Sequence, residues 1–143
     1  MATLRLCADT SQLCVIREFV SEAGQDLGLD ERGIQDLLLA VDEICSNSIL
    51  HGYDEHCGDI EVTVESCDAG VRAIVRDWGK AFDPESVRVP DINAPLKKRP
   101  LGGLGLFLVR QLMDDVQFEF GKERGNSVTM VKRVQSDDGQ ERT

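Results

Sequence analysis

Apolar and polar positions follow two rhythms along this chain, one of period two and one of period 3.6. The first is brief: Leu4 and Leu6 alternate with Thr3, Arg5 and Cys7, which predicts a short first strand. The helical rhythm begins at Leu13, where Leu13, Ile16, Phe19, Val20, Ala23 and Leu27 share one face. Asp9 stands as an N-cap with Gln12 placed to complete a capping box, and Gly28 is a helix stop. A second helix is expected from its cap, Asp30, to near Gly52. Its buried stripe is Ile34, Leu37, Leu38, Val41, Ile44, Cys45 and Ser48.

The period then returns to two. Ile60, Val62 and Val64 alternate with Glu61, Thr63 and Glu65, and Val71, Ala73 and Val75 alternate with Arg72, Ile74 and Arg76. Cys67-Asp68-Ala69-Gly70 links them as the turn of an antiparallel hairpin. Pro84, Pro90, Pro95 and Pro100 break every pattern up to residue 100. A long irregular loop in a small domain is functional or disordered. A third helix is expected over Leu106, Phe107, Val109, Leu112 and Met113, then a strand at Val116, Phe118 and Phe120. A turn from Gly121 to Asn126 leads to a last strand, Ser127 to Val134.

This order predicts an α+β two-layer sandwich, with a mixed, mostly antiparallel sheet and helices on one face. Residues 1–134 read as a single domain and 135–143 as a polar, disordered tail.

Composition narrows the classes. An apolar share of 41% over 143 residues suits a globular domain with a real core. A formal net charge of −10 argues against a nucleic-acid footprint and against docking on anionic lipid. An anionic ligand would need local positive charge, and Lys97-Lys98-Arg99 is the one run of three basic residues. The start, Met1-Ala2-Thr3-Leu4-Arg5, does not read as a signal peptide. No stretch approaches the roughly 18 apolar residues that a membrane span needs. A cytoplasmic protein is therefore expected. Five cysteines with no CxxC pair read as reduced thiols, not as a disulfide frame or a zinc site. His51, His56 and Cys57 read as ordinary surface.

Three stretches carry candidate chemistry. Glu43, Asn47 and His51 lie four apart and share one helix face. A carboxylate one turn from a carboxamide supplies a base and a neutral oxygen ligand for a hard cation such as Mg2+, although a solvated polar face has the same spacing. Asp77-Trp78-Gly79 follows the hairpin. Its carboxylate can accept from an exocyclic amine, and Gly79 lets a flat ring approach the backbone; an ordinary turn has the same pattern. Gly102-Gly103-Leu104-Gly105-Leu106 opens the third helix. Bare N–H groups and the helix dipole suit phosphate there, and close helix packing would also use those glycines.

Taken in order, Glu-x-x-x-Asn, Asp-x-Gly and Gly-x-Gly resemble the N, G1 and G2 boxes of the GHKL ATP-binding superfamily, which includes gyrase and the histidine kinases. The resemblance covers about residues 3–134 and implies the histidine-kinase-like ATPase (Bergerat) fold. Glu43-x-x-x-Asn47-x-x-x-His51-x-Tyr53 and Gly102-Gly103-Leu104-Gly105-Leu106 look like the small bacterial anti-sigma factor serine/threonine kinases. By that resemblance, Glu43 is the base that activates water or a protein hydroxyl, and Asn47 ligates Mg2+. Asp77 reads adenine with Gly79 beside the ring. Gly103 and Gly105, with Gly102 and Leu104 in the same stretch, hold phosphate under a proline-rich lid. Read from the residues alone, Lys98 in the basic run is a candidate to neutralise a triphosphate, and a solvated loop has the same composition. Ser127 matches a small hydroxyl residue that supports the adenine carboxylate. Many relatives carry Gly where this chain has Ala81.

The resemblance implies ATP and Mg2+ as cofactors and a STAS-domain anti-sigma factor antagonist as phosphoacceptor. A sigma factor is a further partner that it suggests, and a homodimer is compatible with it. Phosphoryl transfer is mainly positioning and charge neutralisation, so these parts suffice. Neither a Walker A motif nor a His-Arg-Asp loop is present. The expected function is an ATP-dependent protein serine/threonine kinase acting as an anti-sigma, partner-switching regulator. The alternative is a non-catalytic ATP-binding regulatory module that binds a partner protein. A histidine-kinase catalytic domain is the weakest reading, because no helical hairpin with a phosphoacceptor His precedes the first strand.

Overall fold

The computed structural model describes residues 1–49, 58–79, 103–119, 121 and 125–134, with the backbone alone for 103–106. Among these, the regular elements are β1 (Ala2–Cys7), α1 (Leu13–Asp26), α2 (Glu31–Asn47), β2 (Asp59–Cys67), β3 (Gly70–Asp77), α3 (Gly103–Leu112), β4 (Asp115–Glu119) and β5 (Asn126–Arg133). The five strands form one sheet in the order β1-β2-β3-β5-β4. Each of the four pairings is antiparallel, so the parallel component of the expected mixed sheet is not found among the described residues. The two-layer sandwich is as expected.

Local chemistry sets the element ends. Asp30 caps α2, its carboxylate accepting from the Gly33 N–H at 2.7 Å. Asp9 caps a 3-10 turn over Thr10–Gln12 instead of the α-helix itself, accepting from Ser11 N–H at 3.0 Å. The Asp9 N–H is spent on the Cys7 carbonyl at 2.9 Å, so the reciprocal half of a capping box does not form. Gly28, at φ +97°, ends α1 in the left-handed conformation that a side chain disfavours.

One face of the sheet carries the apolar half of each period-two pattern. Ile60, Val62 and Val64 of β2, Val71, Ala73 and Val75 of β3 and Met130 of β5 are all buried. They join Ile16 and Val20 of α1, Leu37, Val41 and Ile44 of α2, and Val109 of α3 in a single core. Each aliphatic side chain of this size contributes about 1.5–3 kcal/mol on full burial.

The register defines two ends of the sheet. Asp77 is opposite Ile60 and Asn126 at one end, and Gly70 is opposite Cys67 and Arg133 at the other. Strand β4 runs from Asp115, opposite Val131, to Glu119, opposite Ser127, and so heads toward the Asp77 end. Only Met113 and Asp114 separate α3 from β4, so the chain reverses there and α3 runs the opposite way. Arg110 of α3 lies 5.6 Å over the Phe118 ring of β4, as that reversal requires. The N-terminus of α3 therefore lies toward the Asp77 end. Lys132 fixes the other end of α3: its ammonium donates to the Leu112 carbonyl at 2.8 Å and pairs with Asp36 of α2 at 2.9 Å.

The cysteines depart in part from expectation. Cys14, Cys45 and Cys67 are free, but Cys7 is disulfide-bonded, to a partner that is not among the described residues. The Ala8 N–H bonds the Gly58 carbonyl at 2.7 Å, so the chain entering β2 returns to the end of β1, a closeness that linear spacing hides. No described helix is long and apolar enough to cross a membrane. The proline-rich stretch 84–100 with Lys97-Lys98-Arg99, Ala81, the 51–57 segment with its histidines and Cys57, Phe120 and the tail 135–143 lie outside the described residues.

Gly70 turns the hairpin at φ +152°, where a Cβ would collide with the Lys132 carbonyl and lie 2.6 Å from the Val134 nitrogen. Gly70→Ala is expected to destabilise the fold by about 1–3 kcal/mol, the usual cost of forcing a side chain into such backbone. A urea unfolding midpoint measures this. An unchanged midpoint would mean that β5 yields at no cost.

Candidate functional site

Burial of the α2 stripe decides where its polar residues go. With Leu37, Ala40, Val41, Ile44 and Cys45 turned inward, Glu43 and Asn47 are left half-buried at the rim of the helix. Burial pushes the Glu43 carboxyl above the ordinary value of 4.5, and the negative charge of Asp42 pushes it further the same way. Asp42 is itself held by Arg17 of α1 at 2.8 Å.

Ser48, directly after Asn47, carries the end of α2 onto the sheet. Its hydroxyl donates to Oδ2 of Asp77 at 2.6 Å. The other oxygen of Asp77, Oδ1, accepts from the Gly79 N–H at 3.0 Å and from Nδ2 of Asn126 at 3.0 Å. The Asn126 amide also donates to the Gly79 carbonyl at 3.0 Å, so it staples the Asp-x-Gly turn at both of its ends. Gly125 makes the approach feasible: at φ +81° a Cβ there would sit 2.6 Å from the Asp77 carbonyl and 2.9 Å from the Trp78 ring. Trp78 takes the opposite face, with the Arg5 guanidinium 4.5 Å over its ring. Beneath the site, the Cys45 thiol is pushed well up, by burial first and then by Asp42 and Asp77, so it stays protonated.

These contacts bring the first two sequence motifs to one end of the sheet, and the third lies toward the same end. Residues 6–132 match the model of a histidine kinase-like ATPase domain. The chain belongs to that family.

Its similarities within the family are specific. It is 29% identical over 136 residues to proteins named serine-protein kinase RsbW from Bacillus cereus and Bacillus anthracis, covering 92% of this chain and 84% of theirs. Its fold matches the solved RsbU and RsbW domains of Rv1364c from Mycobacterium tuberculosis with a TM-score of 0.63 at 20% identity. That match covers 94% of this chain and 33% of the mycobacterial one. A blue-light activated histidine kinase from Erythrobacter litoralis matches with a TM-score of 0.55 at 18% identity, over 77% of this chain and 33% of that one. The chain thus spans about a third of each of these solved chains, and at such identities they show the fold alone.

For a histidine kinase-like ATPase domain, the donor set can be tested against the metal that such domains use. Mg2+ keeps several waters and takes few protein ligands, with phosphate supplying the rest. A single carboxamide, that of Asn47, fits that demand, with the Glu43 carboxylate one turn away on α2. A closed protein cage does not form: no cluster of three His, Cys, Asp or Glu able to hold a metal occurs among the described residues. Gly103 and Gly105 lie in the first turn of α3, whose start offers unpaired N–H groups. Gly102 and Lys98 lie outside the described residues.

One assignment changes. Ser127 does not support Asp77. It pairs with Arg76 in the register, so strand alternation sends its side chain to the other face. Its neighbour Asn126 and the helix residue Ser48 take that role. Both were open to detection. Ser48 is the one hydroxyl in an apolar stripe, and a buried hydroxyl requires a partner. Asn126 adjoins a glycine at the start of a strand, where polar side chains bond local backbone.

The raised Glu43 carboxyl has a defined sign. Folding favours its protonated form, so the stability this brings is fully present below the ordinary carboxyl range and is lost as pH rises through the raised value. Asp42→Asn removes the smaller cause and should lower the Glu43 midpoint part of the way. NMR titration of the Glu43 carboxyl carbon in both proteins measures it. A midpoint in the unmodified protein at or below that of a free Glu side chain would refute the desolvated placement.

Proposed function

We propose that this chain is an ATP-dependent protein serine/threonine kinase of the anti-sigma, partner-switching kind. The observation that carries the reading is the convergence at one sheet end: Asp77, ordered by three donors, is joined through Ser48 to the end of α2 that bears Glu43 and Asn47. The similarity to proteins named serine-protein kinases supports it.

In this reading Asp77 accepts an N–H from the exocyclic amine of adenine, and Gly79 leaves room for the ring. The first turn of α3, with Gly103, Leu104 and Gly105, offers its N–H groups and dipole to the phosphates, with Gly102 and Lys98 completing the phosphate contacts. Asn47 would hold Mg2+ through its side-chain oxygen. The metal, when bound, neutralises charge that develops on the phosphates. Glu43 takes the proton from the attacking serine hydroxyl. A carboxyl pushed upward by burial is a stronger base than a solvated one, which suits that task. A STAS-domain anti-sigma factor antagonist is the phosphoacceptor and a sigma factor the restrained partner, and the protein acts in the cytoplasm.

Transfer of labelled γ-phosphate to a STAS-domain protein tests the reading. Glu43→Gln should keep nucleotide affinity while transfer falls by about 10²–10⁴, the usual contribution of one positioned base. Asn47→Ala should lose the Mg2+ dependence of binding as well as turnover. Full-rate transfer by Glu43→Gln would remove Glu43 from the chemistry. Mg2+-dependent ATP binding without any transfer would instead favour a regulatory module that uses ATP only to set its conformation.

A further inference from the structure

Ser48 does more than pack. It is 8% exposed, on a helix face otherwise filled by carbon and sulfur, and its hydroxyl is committed to Asp77. Each carboxylate oxygen offers two lone pairs. On Oδ1 of Asp77 both are taken, one by Asn126 and one by Gly79. On Oδ2 Ser48 takes one. Among the described residues, Asp77 therefore keeps a single acceptor position, on Oδ2. Its direction is fixed, because the carboxylate is held on both oxygens and cannot swing about its terminal torsion without breaking a bond.

A carboxylate with one aimed acceptor position is a narrow reader. A purine with an amine at its 6-position presents an N–H to it. A purine with a carbonyl there presents a lone pair, which the carboxylate repels. Such a 6-oxo purine does carry an N–H at the adjacent ring nitrogen, and a carboxylate free to rotate could turn to accept it. The Ser48 bond blocks that rotation on the Oδ2 side, where the open position lies.

We infer that Ser48 is a positioning residue that sets base selectivity, by locking Asp77 so that its one open acceptor position admits a 6-amino purine and turns away a 6-oxo purine. This rests on the ATP-binding reading above and adds to it the residue that enforces the choice. Ser48 also follows Asn47 directly, so the same bond ties the base reader to the metal-holding end of α2.

The readout is the ratio of the dissociation constants of ITP and ATP, measured by calorimetry with Mg2+. These nucleotides differ at the 6-position and its neighbouring ring proton. The unmodified protein should prefer ATP, and Ser48→Ala should cut that preference roughly tenfold, the scale of one hydrogen bond to a charged group. Ser48→Thr, which keeps the hydroxyl, should restore it. Magnesium tripolyphosphate, which has no base, should bind all three proteins alike. A general packing role would weaken ATP and ITP equally, so an unchanged ratio in a folded Ser48→Ala protein overturns the inference and leaves ATP binding intact. An unmodified protein that binds neither nucleotide overturns the underlying reading.

Discussion

Helix α2 can bury only one stripe, and that stripe is buried to the limit. Leu37, Ala40, Val41, Ile44 and Cys45 are each 4% exposed or less. A helix turns 100° per residue, so rotating α2 by a single position would bring several of these into water. At about 1.5–3 kcal/mol for each large aliphatic side chain, the apolar term outweighs any one hydrogen bond at the site, which nets about 1–3 kcal/mol. The rotation of α2 is thus set by carbon, and the polar residues take the positions that remain. Glu43 and Asn47 fall at the rim, and Ser48 falls over the end of β3.

The same reasoning explains what was legible from residue order. Period-two and period-3.6 patterns report which side of an element faces the core, and they located all eight elements and the two layers. The Asp-x-Gly and Glu-x-x-x-Asn motifs were legible because their chemistry is local to a few residues. Register was not. Whether Asn126 or Ser127 meets Asp77 depends on the parity of the β3–β5 pairing, and a slip of one residue exchanges them. Nor was the strand-end geometry that engages Cys7 in a disulfide, since pairing partners there are over fifty residues apart in sequence. Capping by Asp9 is legible in the sequence, but the element it caps and the missing box are not, because the backbone N–H that the box needs already has an acceptor.

The far end of the molecule has its own anchor. Lys132 sits on the core-facing side of β5, yet it is charged, and it is tolerated because it meets Asp36 and the Leu112 carbonyl of α3 together. One ammonium thereby joins a strand and two helices away from the candidate site. The helix layer is held at that end by charge and at the other by the Ser48–Asp77 bond, with the apolar core between.

Trp78 is the single tryptophan of the chain. It directly follows Asp77, its ring lies under the Arg5 guanidinium, and Arg5 is anchored by Asp59 at 3.1 Å. Indole emission shifts with the field and polarity around the ring. Red-edge excitation of the unlabelled protein therefore yields light from one place only, the turn between β3 and Gly79. The fold carries a built-in optical probe of that turn, on the face opposite the Asp77 carboxylate.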